Sequence, residues 1–99
     1  MTTHPLFSLD GSTATVTGAG SETGIGFVTA RLLAELGAEV VLSGASTRVH
    51  ERAEELRGAG HTAHSVSSDL TTPEGVEALV EKVSEAALPA RILVNNAGM

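Results

Sequence analysis

The chain has 99 residues, 41% of them hydrophobic and 18% charged, which limits it to one domain with an aliphatic core, since Phe7 and Phe27 are its only aromatic residues. Its net charge is −6 and it has no basic run, which excludes duplex nucleic acid as the expected partner. The absence of cysteine excludes disulfides, thiolate zinc sites and thiol catalysis. With no apolar run long enough to span a membrane and no signal-peptide pattern, we expect a cytoplasmic protein.

Strands and helices alternate along the sequence. Short runs rich in β-branched and aliphatic residues predict strands, and apolar residues spaced three and four apart predict helices. The predicted strands cover about 13–18, 38–43, 62–67 and 91–94. The predicted helices cover about 24–36 and 47–57, and a third starts at Pro73 and ends before Pro89. This order predicts an α/β fold with a doubly wound parallel sheet, of which four strands and three helices are present.

Several residues set the details of these elements. In the first helix Ile25, Val28, Leu32 and Leu36 form the stripe that we expect to pack on the sheet. Gly37 suits the left-handed position just past this helix. Ser46 or Thr47 is expected to cap the second helix, and Thr72 followed by proline marks the start of the third. The polar third strand is expected at an edge of the sheet.

A glycine-rich stretch, TGAGSETGIG over residues 17–26, joins the first strand to the first helix. Glycines allow a sharp turn and a close approach of backbone to ligand, and the amide groups at a helix N-terminus attract anions. Strand, turn and helix therefore predict a phosphate-binding site, against the alternative of a plain strand-to-helix turn. In a doubly wound sheet the ends of the other strands, at 44–48, 68–70 and 95–98, share its edge.

These segments together give a resemblance to the short-chain dehydrogenase/reductase family. It rests on Thr17-Gly18 with Gly24-Ile25-Gly26, on Asp69 after the third strand, and on Asn95-Asn96-Ala97-Gly98 after the fourth, and it covers nearly the whole chain. The resemblance implies a Rossmann fold and an oxidoreductase that uses NAD or NADP on a carbonyl/alcohol pair. It also implies a small-molecule substrate and a homo-oligomer at full length.

The resemblance further implies a role for each matching residue. Those expected around the pyrophosphate are Gly18, Ser21, Gly24, Ile25 and Gly26. Asp69 and Leu70 would flank the adenine, with the Asp69 carboxylate accepting from the exocyclic amine. Asn96, Ala97 and Gly98 would lie along the nicotinamide ribose, while Asn95 would tie neighbouring strands together. As an alternative reading from the residues themselves, Asp69 caps a turn or a helix.

The sequence departs from the family pattern in two ways. Glu22-Thr23 is interpreted as a two-residue insertion in the glycine turn, with the Glu22 carboxylate pointing to solvent. The family's catalytic tyrosine, and the lysine four residues after it, have no counterpart, because the chain has no tyrosine and its one lysine, Lys82, lies on a predicted helix surface. We therefore assign no catalytic residue and interpret residues 1–99 as the N-terminal part of one dinucleotide-binding domain whose remainder is missing.

The loop after the second strand determines the choice of cofactor. A carboxylate at the strand end would favour NAD, and the chain has Gly44 there. Ala45, Ser46, Thr47 and Arg48 follow and offer amides, hydroxyls and a guanidinium to a phosphate, although Ser46–Arg48 also read as a plain helix cap and first turn. The sequence thus favours NADP, with NAD possible, and the loop is similar to that of 3-oxoacyl-carrier-protein reductases.

Two functions remain as hypotheses. The first is the cofactor-binding part of an NADP-dependent oxidoreductase, and the second is a non-catalytic dinucleotide-binding module completed by another chain. No metal site is expected, because His61 and His64 are three apart on a strand and so point to opposite faces.

Overall fold

The computed structural model describes residues 7–21 and 23–96. Three helices and four strands alternate along these residues, as the hydrophobic pattern predicts. They are β1 (Thr13–Val16), α1 (Ile25–Glu35), β2 (Glu39–Gly44), α2 (Arg48–Gly58), β3 (Ala63–Ser67), α3 (Pro73–Ser84) and β4 (Ala90–Val94). Within the described residues, no helix has the length and apolar character required to cross a membrane.

The four strands form one parallel sheet in the order β3-β2-β1-β4. Every residue of β1 and β2 is buried, as expected for central strands covered on both faces. The polar strand β3 lies at one edge, which confirms its predicted position, and β4 forms the other edge. The fold is therefore the predicted α/β type with a parallel, Rossmann-like sheet.

The two faces of the sheet are covered unequally. On one face α1 and α2 pack on β1 and β2 around a core that includes Ala14, Val16, Val40 and Leu42, all fully buried. On the other face α3 leaves much of its apolar surface uncovered. Val76 and Val80 on this helix are 44% and 61% exposed, and Leu93 on β4 is 69% exposed. A groove of about 510 Å³ separates α3 from β4.

The predicted packing stripe of α1 is wrong. Ile25 and Leu32 are 77% and 54% exposed, and the helix instead buries a different stripe. That stripe consists of Gly26, Phe27, Ala30 and Ala34. Three of these four residues are small, so the helix backbone lies close to the sheet, while Ile25 and Leu32 stay outside.

The helix ends mostly follow the predicted signals. Gly37 has φ +110° directly after α1, a conformation that favours glycine. Thr72 is the N-cap of α3, and its hydroxyl accepts from the Gly75 amide at 3.0 Å. At α2 the capping is weaker. Thr47 occupies the cap without a side-chain hydrogen bond, and Ser46 Oγ accepts from the Arg48 amide at 3.3 Å.

A buried carboxylate on β2 links this strand to β3 and to the connection between α3 and β4. Glu39, the first residue of β2, is only 6% exposed. Its Oε2 lies 2.5 Å from His64 Nε2 on β3 and accepts from the amide of Ala87, between α3 and β4, at 3.2 Å. His64 is therefore engaged by a carboxylate of the neighbouring strand, and His61 is not part of this pair.

A substitution at Gly75 tests how closely α3 packs against the loop before it. A Cβ atom at Gly75 would overlap the carbonyl oxygen of Asp69, whereas one at Gly58, in the last turn of α2, would meet nothing within 4 Å. We expect Gly75→Ala to lower the free energy of unfolding by about 1–3 kcal/mol despite the higher helix propensity of alanine. The matched Gly58→Ala change should raise it by about 0.4–1 kcal/mol. Denaturant unfolding of both variants checks this, and equal effects would contradict the packing described here.

Candidate dinucleotide-binding site

The glycine turn is held against the ends of its neighbouring strands. Gly18 has φ +67°, which turns the chain away from β1, and the next amide, Ala19 N, donates to Ser43 O on β2 at 2.9 Å. A second turn closes where Gly24 N donates to Ser21 O at 3.2 Å, and the Ser21 and Thr23 hydroxyls lie 3.4 Å apart. Ser21 and Gly24, on either side of the predicted insertion, are thus in contact just before α1. Glu22 lies outside the described residues.

Gly26 marks the closest contact between α1 and this turn. A Cβ atom there would lie 2.5 Å from Gly18 O and 2.6 Å from Asn96 Nδ2, closer than packed atoms approach. Gly24 caps α1 with no side-chain hydrogen bond, and no acidic residue occupies the first turn. The first amides of a helix have no partner within it, so this end of α1 presents donors and a positive dipole, with no carboxylate within its own first turn. These features fit a pyrophosphate.

Two asparagines after β4 fix the turn from the other side. Asn96 donates from Nδ2 to Gly18 O at 3.1 Å and from its backbone amide to Thr17 Oγ1 at 3.0 Å. The Thr17 hydroxyl lies 3.4 Å from Asn95 Oδ1, so the Asn95 side chain links the ends of β4 and β1 as expected. Thr17 belongs to the sequence motif, but the motif assigns its side chain no role; it is 4% exposed, and its hydroxyl is the acceptor that holds this junction.

The loop after β2 lies directly beside the glycine turn. A Cβ atom at Gly44 would lie 2.9 Å from Val49 Cβ and 3.6 Å from Gly20 N, so the end of β2 and the turn are in near contact. Ala45, Ser46 and Arg48 are exposed at this place. A polar pocket of about 360 Å³ opens between the turn and the start of α2. It is lined by Gly20, Ser21, Thr23, Arg48, Glu51 and Arg52.

The segment after β3 joins the same edge. Ser68 N donates to Gly44 O at 3.0 Å, which brings the exposed Asp69 and the half-buried Leu70 next to the β2 loop. Asp69 Oδ1 accepts from the Thr71 hydroxyl at 2.6 Å and from the Thr71 amide at 2.9 Å. These bonds, the hydroxyl bond above all, lower the pKa of the Asp69 carboxyl below its ordinary 3.8. The carboxylate thus holds a turn, as the alternative reading proposed, and its predicted adenine contact stays a prediction.

The predicted segments therefore meet along one edge of the sheet, which we call the carboxyl edge because all four strands end there. Asn96, Gly18 and Gly26 lie at one end of it, the glycine turn and Gly44 in the middle, and Ser68 with Asp69 at the other end. Ala97 and Gly98 lie outside the described residues. Glu51 and Arg52 also line the polar pocket, although the sequence pattern around them is typical of a solvated helix face.

Comparison with known proteins gives the family. The family model for short chain dehydrogenases matches residues 12–99. The chain belongs to the short chain dehydrogenase family. The family that the sequence motifs suggested is therefore confirmed. Those motifs lie along the carboxyl edge. The 3-oxoacyl-carrier-protein reductase branch is not confirmed.

Individual relatives are similar over most of this chain. It is 44% identical over 86 residues to a cis-4-hydroxycyclohexanecarboxylate dehydrogenase of Sinomonas cyclohexanicum, covering 87% of this chain and 34% of that protein. An L-sorbose reductase of Gluconobacter frateurii, solved with NADPH and L-sorbose, superposes with a TM-score of 0.85 at 41% identity, over 94% of this chain and 35% of that one. The Pseudomonas aeruginosa RhlG/NADP complex gives 0.84 at 35% identity, over 97% and 38%. This chain thus spans about a third of the length of these short chain dehydrogenase relatives.

The Thr17 hydroxyl provides a test of the junction between β1 and β4. We expect Thr17→Val to lower the free energy of unfolding by about 1–3 kcal/mol, because the buried side chain would no longer accept from the Asn96 amide. Thr17→Ser keeps the hydroxyl and should recover most of the loss. Denaturant unfolding of both variants measures the difference, and a valine variant as stable as the serine variant would argue against this role.

The Asp69 turn gives a prediction in terms of pH. Thr71→Val removes the hydroxyl donor and should raise the pKa of the Asp69 carboxyl toward its ordinary 3.8, whereas Thr71→Ser should leave it low. Because the pKa is lowered in the folded protein, any stability from this carboxylate is present above pH 3.8 and is lost as the pH falls through the lowered pKa. An NMR titration of the carboxyl carbon measures both variants, and an unchanged pKa in the valine variant would refute the assignment.

Proposed function

We propose that this chain is the cofactor-binding part of an NAD(P)-dependent oxidoreductase that acts on a carbonyl/alcohol pair, with NADP preferred. The observation that carries the proposal is the continuity of the carboxyl edge, where Asn96, the glycine turn, Gly44 and Ser68, the residue before Asp69, follow one another. In doubly wound sheets a dinucleotide lies across the carboxyl ends of the strands. When bound, the nicotinamide supplies the hydride acceptor or donor.

The roles of the site residues follow their places along this edge. Gly18, Ser21, Gly24, Ile25 and Gly26 would surround the pyrophosphate at the start of α1. Asp69 and Leu70 would lie at the adenine end, and Asn96 with Ala97 and Gly98 at the nicotinamide end. Since the Asn96 side chain donates to Gly18 O, its part is to hold the turn in shape beside the cofactor.

The preference for NADP rests on the end of β2. Gly44 places no carboxylate there to accept the ribose hydroxyls or to repel a 2′-phosphate. Ala45 and Ser46 lie exposed beside it, and the Arg48 guanidinium lines the adjoining polar pocket. The solved relatives support the same choice, because two of them are described as complexes with NADP or NADPH.

The catalytic step would need residues from outside these 99. The chain contains no tyrosine, and Lys82, its only lysine, lies on α3 with Nζ 3.4 Å from Glu85 Oε2. Among the residues described, β4 is an edge strand and the groove between α3 and β4 is open and apolar. We propose that further polypeptide completes the sheet and supplies the proton-transfer groups, in a protein that forms homo-oligomers.

The open groove also fits the second candidate, a dinucleotide-binding module completed by another chain. The two candidates differ in where the completing residues are encoded. A Tyr-x-x-x-Lys motif about 50–60 residues after Met99 in the same reading frame, as the family resemblance implies, would exclude the second candidate. A stop codon directly after Met99 would exclude the first.

Cofactor titration tests the proposal directly. With the full-length protein we expect tighter binding of NADPH than of NADH, measured by nicotinamide fluorescence. Tighter binding of NADH would overturn the NADP preference, and binding of neither would overturn the dinucleotide site.

A substitution of Arg48 tests the preference for NADP over NAD. We expect Arg48→Gln to weaken NADPH binding roughly 3- to 10-fold, because a charge-assisted contact to the 2′-phosphate is lost, and to leave NADH binding unchanged. Arg57→Gln is the matched control, since it removes the same charge from the last turn of α2, where Arg57 pairs with Glu54. An equal loss in both variants would show a general charge effect rather than a contact.

A further inference from the structure

The polar pocket beside the glycine turn contains a second cation that the sequence pattern does not suggest. Arg52 lies one turn after Arg48 on α2 and lines the same pocket. Its side chain is only 10% exposed, and its guanidinium carbon lies 5.7 Å from the centre of the Phe27 ring, itself 4% exposed. Stacking on a buried ring restricts the guanidinium, so this charge has a defined place beside the pocket.

Two carboxylates of α2 share this guanidinium unequally. Arg52 Nη2 lies 2.9 Å from Glu55 Oε1 but 3.9 Å from Glu51 Oε2. Glu55 does not line the pocket, and its short contact fixes the orientation of Arg52. Glu51 does line the pocket, and at 68% exposure it makes a long contact from which it is free to rotate into solvent. The nearer carboxylate is thus a positioning group, and the farther one lies in the space that a ligand anion would use.

The position of the pocket indicates which group of the cofactor would lie in it. It borders Gly20, which lies 3.6 Å from where a Gly44 side chain would begin, at the end of β2. In a dinucleotide laid across the carboxyl edge, the strand end at this point receives the 2′ position of the adenosine ribose. The ligand group nearest Arg52 and Glu51 would therefore be a hydroxyl in NAD and a phosphate in NADP.

We propose that Arg52 and Glu51 together set the discrimination between NADP and NAD, Arg52 as a second cation for the 2′-phosphate and Glu51 as the carboxylate that this phosphate displaces. The inference rests on the proposed function, because it concerns the cofactor of that site. In the pocket without ligand, Glu51 offsets part of the positive charge of Arg48 and Arg52. A phosphate gains Arg48 and Arg52 only after Glu51 has moved away, and like charges in the same pocket oppose its entry. Glu51 therefore weakens NADP binding and has no such effect on NAD.

The test compares Glu51→Gln with Glu54→Gln. Both changes remove one negative charge from α2, but Glu54 is paired with Arg57 and does not line the pocket. In the full-length protein we expect Glu51→Gln to strengthen NADP⁺ binding about two- to five-fold, the range of a partly exposed ion pair, with no change in NAD⁺ binding. Glu54→Gln should change neither. Isothermal titration calorimetry with each cofactor, and with 2′,5′-ADP against 5′-AMP, measures the effect.

A second variant addresses the cation itself. Arg52→Lys keeps the charge but loses the planar fork, and should weaken NADP⁺ and 2′,5′-ADP binding while leaving NAD⁺ and 5′-AMP binding unchanged. Its thermal unfolding is measured in parallel, and a loss of binding to all four ligands would assign Arg52 a purely structural role and overturn the proposal.

The failure of this inference is distinguishable from failure of the proposed function. If the wild type prefers NADP⁺ but Glu51→Gln and Glu54→Gln behave alike, the assignment of Glu51 is wrong and the NADP preference stands. If the wild type prefers NAD⁺ and only Glu51→Gln gains affinity for NADP⁺, the NADP preference is wrong and the role of Glu51 stands.

Discussion

The contact of α1 with the glycine turn is the constraint on which the rest of the carboxyl edge depends. The helix begins where Gly26 meets Gly18 O and the Asn96 amide, with no room for a side chain at that point. This contact places the first amides of α1 at the carboxyl edge. It also holds the end of β4 against the end of β1. Small residues continue the approach along the helix at Ala30 and Ala34, so the same close packing that shapes the site also builds the core on that face of the sheet.

Much of the fold could be predicted from sequence because its signals are local. The alternation of strands and helices, the buried central strand β2, the edge position of β3, the left-handed Gly37 and the Thr72 cap all follow from periodicity or from single residues with one strong conformational preference. The stripe of α1 could not be settled in this way. Two sets of residues, each compatible with one helix face, compete there, and the choice of the set with smaller side chains depends on how closely the helix lies to the sheet, which is a tertiary property.

The same distinction applies to the site. Gly18, Gly26, Gly44 and Asn96 could be placed in advance because backbone geometry and strand ends determine their positions. The acceptor role of Thr17 and the placement of Arg52 over Phe27 could not, because each depends on a residue distant in sequence. Asp69 shows a further limit. Asp69 lies at the carboxyl edge, as predicted from its position after β3. Its carboxylate, however, accepts a hydrogen bond from Thr71, and no spacing rule distinguishes such a carboxylate from one that has no local partner.

The bond from Asn96 to Gly18 has a consequence for how the molecule folds. It joins residues 78 apart, and the strand order places β1 between β2, its near neighbour in sequence, and β4, the last of the described strands. Closing so long a loop costs chain entropy before the contact repays it, so local pairs such as β2 with β3 are favoured earlier. We therefore expect the glycine turn to acquire its final shape only when β4 docks beside β1. The shape of the glycine turn thus reports that β4 has docked beside β1.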